Sequence, residues 1–189
     1  MKYITAEEAE ASLKSEHYQN FISAMKRAQE DSIKFVAQHP DITPRTKSNF
    51  VNDKIRSYIR EQYSNNQSYK ILEPHSSFFL IIGKIAARFK KLRNSRPSNI
   101  VTGQTTLIEM QQLDLGEEMK SPTIVNVGYV TNKAGDVWRY KISCLIGKQL
   151  LWTVDITPDA EGTAMPVPIP ETDIPPQAGQ VKRVHKKAQ

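Results

Sequence analysis

A single cysteine, Cys144, stands in the whole chain. Its solitude excludes an internal disulfide and any cysteine-rich zinc site, and its apolar surroundings mark it as a small core residue. Long hydrophobic runs are also missing, none approaching the ~18 residues that a membrane span requires. The histidines, His17, His39, His75 and His185, are scattered and show no metal-ligand spacing. Neither a Walker loop nor a dinucleotide-type glycine motif occurs, and no paired-carboxylate metal motif does either. Asp114, Glu117 and Glu118 cluster, but on what reads as an exposed connection. Nothing asks for a cofactor or a metal. The opening run MKYITAEEAEASLK is acidic and polar where a secretory signal is basic and then apolar. A cytoplasmic protein without membrane contact is therefore expected.

What the chain does have is positive charge. Twenty-six lysines and arginines stand against 20 acids, for a net charge of +6 and an isoelectric point near 9.3. That balance favours nucleic acid or an acidic partner protein. The 189 residues suit one domain of ~150 residues with an appendage.

Thr5-Ala6-Glu7-Glu8 has the form of a capping box, with a short helix to follow as far as Lys14. From Glu16 to Gln38 apolar side chains recur at helical spacing, through Phe21, Ile22, Met25 and Ala28. The stripe weakens at residues 30–32, a point where this helix can break. Thr43 and Pro44 supply the cap and first residue of a third helix. Its inner face is Phe50, Val51, Ile55, Tyr58 and Ile59, while Arg45, Lys47, Lys54, Arg56 and Arg60 lie mostly elsewhere. A solvated flank is the plainer reading of those cations and a binding surface the sharper one.

Beyond Asn65 the pattern turns to strands, beginning with residues 69–72. Residues 77–92 and 144–152 are phrased alike: an apolar run, a Gly-Lys pair (Gly83-Lys84, Gly147-Lys148) and a second run. Glycine at the first turn position suits a type II′ hairpin, which predicts two hairpins. Phe78, Ile81, Ile82, Ile85, Phe89 and Leu92 fit a helix face as well. Residues 93–101 read as a loop stiffened by Pro97. Thr102 reads as the cap of a helix through Gln112, and residues 123–156 as an antiparallel meander. Trp138 and Trp152 are expected to anchor the core or its edge.

The expected fold is therefore α+β: N-terminal helices packed on an antiparallel sheet of about five strands, followed by a disordered C-terminal tail. Residues 1–156 form the domain, helical over 1–66 and mainly β over 69–156. Residues 157–189 are rich in proline, end in the basic run Val181–Lys187, and read as flexible, with partner docking as a second use.

Arg88, Lys90, Lys91, Arg93 and Arg96 place five cations in nine residues without an acid. In a strand, Arg88 and Lys90 share one face and Lys91 takes the other. Asn99, Thr102 and Gln104 follow. Cations supply salt-sensitive attraction to phosphate, and amides and hydroxyls fix its position. A charged edge that discourages strand-to-strand aggregation explains the same residues. Glu73 and His75, beside this run, allow an alternative: a metal-independent ribonuclease-like toxin with acid, base and stabilising lysine. A winged-helix regulator is a further alternative, with residues 44–63 in the major groove and Gly83-Lys84 at the wing tip. The long helix before it and the second meander have no place in that unit.

At Arg88-Phe-Lys-Lys-Leu92, Ser98-Asn99, Thr102, Gln104, Gln112-Leu113 and Gly128-Tyr129 the sequence resembles a family of bacterial proteins encoded in prophages and mobile elements. These often lie beside metallopeptidases of the kind that cleave phage repressors. The resemblance spans residues 70–155. It implies a role in phage or mobile-element regulation or defence through a protein or nucleic-acid partner, and it carries no catalytic residues across. The expected function is a non-enzymatic regulatory or interaction protein that makes contact through Arg88–Thr106.

Overall fold

A computed structural model of the chain describes residues 3–98, 102–111 and 122–158. Asn99, the acidic group at 114–118 and the tail beyond Pro158 lie outside the described residues. Three helices lead: α1 (Ala6–Ser12), α2 (Ser15–Gln38) and α3 (Pro44–Tyr63). Both caps form as read. Glu8 N donates to Thr5 Oγ1 at 3.2 Å and Thr5 N to Glu8 Oε2 at 2.9 Å, while Thr46 N donates to Thr43 Oγ1 at 3.2 Å. The weak point in α2 does not break it. Asp31 accepts from the Tyr58 hydroxyl and pairs with Lys54 at 3.4 Å, both on α3, so the neighbouring helix takes up the polar interruption.

The strands are β1 (Lys70–Leu72), β2 (Phe79–Ile82), β3 (Ile85–Arg93), β4 (Arg96–Pro97), β5 (Thr123–Thr131), β6 (Val137–Ile146) and β7 (Gln149–Asp155). They form one seven-stranded sheet in the order β1-β2-β3-β5-β6-β7, with β4 paired to β3. The α+β class holds, but the sheet is larger than expected and mixed rather than antiparallel. Both Gly-Lys hairpins form, with Gly83 at φ 55° and Gly147 at φ 56°. Between them the chain, including α4 (Gly103–Glu109), returns from the end of β3 to its beginning. β5 therefore enters parallel to β3, in register from Ile85↔Thr123 to Leu92↔Val130, as such a crossover requires. Nor are residues 93–98 a plain loop. Asn94 (φ 47°) and Ser95 (φ 63°) make a tight turn that folds β4 back on β3.

Side chains on the two faces of the sheet meet different partners. Phe21 and Met25 of α2 and Val51, Ile55 and Ile59 of α3 pack on Leu80, Ile85, Phe89, Val125 and Ile142. Phe21 meets Phe89 edge-on at 5.3 Å. Each large side chain buried in this way contributes roughly 1.5–3 kcal/mol. On the opposite face Ile108 of α4 closes over Phe79, Ile81, Ala86 and Ile124. Burial on both faces is why β2 reads as an unbroken apolar run. Trp152 is half-buried and donates Nε1 to the Ile4 carbonyl at 2.9 Å. Trp138 departs from expectation: it is 53% exposed, with Arg139 stacked at 4.6 Å. Among the described residues no helix is long and apolar enough to cross a membrane.

Gln111, just past α4 at φ 58°, fastens that helix to the sheet. Its Nε2 donates to the carbonyls of Ile124 (2.7 Å) and Leu145 (3.0 Å), and its Oε1 accepts from Ile124 N at 2.6 Å. The amide supplies bonds to main-chain groups beside the point where the β6–β7 pairing shifts register, between Cys144 and Leu145. Gln111→Ala strands these main-chain groups and is expected to lower stability by about 2–3 kcal/mol in chemical denaturation.

His17 ties α2 to α3 and to the entry into β1. Its Nδ1 lies 2.9 Å from the Tyr63 hydroxyl and its Nε2 3.4 Å from that of Tyr69. At 3% exposure, burial holds its pKa below 6.5 despite the nearby Glu16. The unfolded chain then takes up a proton that the folded one refuses. Stability is full above pH 6.5 and falls as the pH drops from there towards the folded-state value, with a slope of up to about 1.4 kcal/mol per pH unit. Urea titrations between pH 8 and 5 are expected to show this loss in the native sequence and a flatter profile in His17→Phe.

Candidate anion-binding groove

β5 occupies one edge of β3 along its length, so β2 and β4 must share the other. β2 covers only residues 85–87 and β4 only 92–93. Among the described residues no strand pairs with 88–90 on that side, which leaves an open edge between them. The ladder alternates, and the Lys91 carbonyl accepts from Ser98 N at 2.8 Å on this side, so the main-chain groups of Phe89 face the same gap. α3 lies above it. Two clefts result. One, of about 70 Å³, is lined by Arg56, Ser77, Phe78, Arg88, Phe89 and Lys90. The other, of about 170 Å³, is lined by Ser48, Asn49, Asn52, Lys90, Lys91 and Ser98 among others. Lys90 lines both, so the two clefts adjoin at that residue, and together they are the groove.

The electrostatics of this groove are one-sided. Burial, then Arg88 and Arg56, push Lys90 down to about 8. Burial, then Arg93 and Lys47, lower Lys91. Among the described residues no carboxylate offsets either shift. Arg88 is only 5% exposed, and burial brings it down to about 10, opposed by Glu109 of α4 and reinforced by Arg56. One of its guanidinium nitrogens, Nη1, has no hydrogen-bond partner. Arg56 donates to the Ser76 carbonyl at 3.3 Å and stands 5.9 Å over the Phe78 ring. Half-buried cations held close to one another repel, and an anion would offset that repulsion.

The residues singled out from sequence therefore divide. Arg88 and Lys90 share one face of β3 and Lys91 takes the other, as alternation requires, but Arg88 is interior rather than displayed. Arg93 and Arg96 are exposed and sit opposite one another in the β3–β4 ladder. Thr102 is occupied as the cap of α4, its hydroxyl accepting from Thr105 N at 3.2 Å. Gln104 fastens α4 to the turn before β2 by donating to Ser77 Oγ at 2.9 Å. Asn99 lies outside the described residues. Glu73 is in an ion pair with Arg60. His75 belongs to a 3₁₀ turn, Pro74–Ser76, and its side chain is outside what the structure describes. The thiol of Cys144 is fully buried and pushed up to about 12, which suits a core residue and not a nucleophile.

Sequence reasoning missed the contribution of α3. Lys47 and Arg56 passed as part of a solvated flank, and Ser48, Asn49 and Asn52 drew no notice. The signal was present: positions 45, 48, 49, 52 and 56 recur at three- and four-residue intervals, which puts one polar, basic stripe along the helix. Among the described residues no three His, Cys, Asp or Glu side chains gather as metal ligands would. No family model, curated protein or solved structure matches this chain, so the case for its function rests on the groove itself.

Proposed function

We propose that the protein binds nucleic acid without transforming it, holding phosphates in the groove between α3 and the open edge of β3. One observation carries this: Lys90 and Lys91 line the clefts beside α3 partly buried, burial and then neighbouring cations lower both, and no acid among the described residues offsets either shift. Phosphodiester chains bring negative charge at regular intervals, and the serine and asparagine side chains of α3 add donors and acceptors that fix a strand in place. We further propose phage or mobile-element regulation as the setting, on the resemblance read from the sequence of residues 70–155 alone.

Fluorescence polarisation with labelled single-stranded and duplex oligonucleotides tests the reading. Log affinity is expected to fall linearly with log salt, with a slope of about −2 to −3 for three or four neutralised phosphates. Polyglutamate is expected to compete poorly, since it lacks the tetrahedral oxyanion. Absent or salt-indifferent binding, or preference for polyglutamate, would overturn the proposal.

A further inference from the structure

The smaller of the two clefts is also the more enclosed. It is lined by Ser76, Ser77 and Phe78, by the buried Arg88, and by Arg56 and Lys90. Lys90 stands where it meets the larger cleft. We infer that this notch receives a terminal phosphomonoester, the phosphorylated end of the strand that lies in the groove. The inference rests on the nucleic-acid reading and adds a specific end-group to it.

Shape is the first argument. A phosphodiester within a chain needs room for a nucleotide on both sides, and a cleft of about 70 Å³ is too small for such a pair while it admits a phosphate-sized group. A chain end enters from one direction only. Charge is the second. Three cations, Arg56, Arg88 and Lys90, line the notch, and after burial each of the other two lowers Lys90. A diester brings a single negative charge, whereas a monoester brings nearly two at neutral pH. Donors are the third. Arg88 Nη1 is buried and unpartnered. Ser77 Oγ accepts from Gln104, which leaves its own proton to give. The Phe89 amide faces the gap left by β2 and β4. Arg88, Ser77 and Phe89 all line the same small volume, and a tetrahedral oxyanion calls for several donors together.

The test compares short oligonucleotides of one sequence carrying a 5′-phosphate, a 3′-phosphate or hydroxyls at both ends, with the full chain at about 150 mM salt. One phosphorylated end is expected to bind about tenfold tighter than the hydroxyl form, the size of one added charge-assisted hydrogen bond. Which end wins identifies the polarity of the strand. Arg56→Gln and Lys90→Gln, both partly solvent-facing, are expected to erase that preference while leaving part of the salt-sensitive binding. Arg88→Gln is expected to do the same where its melting curve stays cooperative. Equal affinity for all three oligonucleotides would overturn the inference and leave the nucleic-acid reading intact. Failure of every oligonucleotide to bind at low salt would overturn both.

Discussion

Gly128→Ala is expected to unfold the protein at markedly lower denaturant, with a loss of about 3 kcal/mol or more. Gly128 sits mid-way along β5, opposite Lys90 in the parallel ladder and opposite Lys141 in the antiparallel one. A methyl group there would fall far inside van der Waals contact of the Lys90 carbonyl oxygen and 2.7 Å from Leu92 Cγ. The first obstacle is main chain in a central strand, so no rotamer change relieves it. β3 must move, and with it go the buried Leu92, the pairing of β4 and the edge that floors the groove. The usual gain from replacing glycine, a less flexible unfolded chain, is about 0.4–1 kcal/mol and too small to offset this. Gly103→Ala is the matched control. Nothing lies within 4 Å of its added methyl, and it begins a helix, so that change is expected to be neutral or slightly stabilising. Guanidinium titrations of the two variants decide the matter. A Gly128→Ala midpoint within error of the native one would mean that β3 and β5 are not packed as described.

The same stretch shows what the sequence could and could not convey. Local signals carried well. The Thr5 and Thr43 caps, the two Gly-Lys turns and the alternation that splits Lys91 from Arg88 and Lys90 depend on neighbours within a few residues. The parallel partnership of β3 and β5 depends on where some thirty intervening residues take the chain, and no local pattern encodes that. Asn94 and Ser95 adopt positive φ without glycine, so the turn into β4 looked like open loop. The candidate site fared similarly. The cluster of basic residues was visible, but burial of Arg88 is a consequence of α4 crossing the same face, and the approach of Lys47 and Arg56 follows from how α3 lies on the sheet. A charge run announces its sign. It does not announce which of its members will be solvated.

That distinction sets up the sharpest test of the groove, because Lys90 should harm the fold and serve the ligand. Its folded-state pKa of about 8 lies below the 10.5 of an unhindered lysine. A depressed folded-state pKa means that the charged form is disfavoured by folding, so near neutral pH this lysine detracts from stability. Lys90→Met keeps the stem and removes the charge; it is expected to raise the denaturation midpoint while weakening nucleic-acid binding. A lysine kept only for structure would show the reverse. Reversing two charges, Lys90→Glu with Lys91→Glu, is expected to weaken binding by about 10²–10³-fold and to reduce the salt slope by about 2, one for each phosphate no longer neutralised. The pH dependence follows from the same shift. Arg88 on β3 and Arg56 on α3 face Lys90, while Glu109 of α4 acts on Arg88. A bound anion raises the Lys90 pKa, so affinity is highest where the free protein already holds that proton, below pH 8, and declines as the pH rises through it. Polarisation titrations from about pH 6.5 to 9.5 are expected to show that decline in the native chain and not in Lys90→Met. Binding that survives the double reversal with its salt slope intact would place the ligand elsewhere on the molecule.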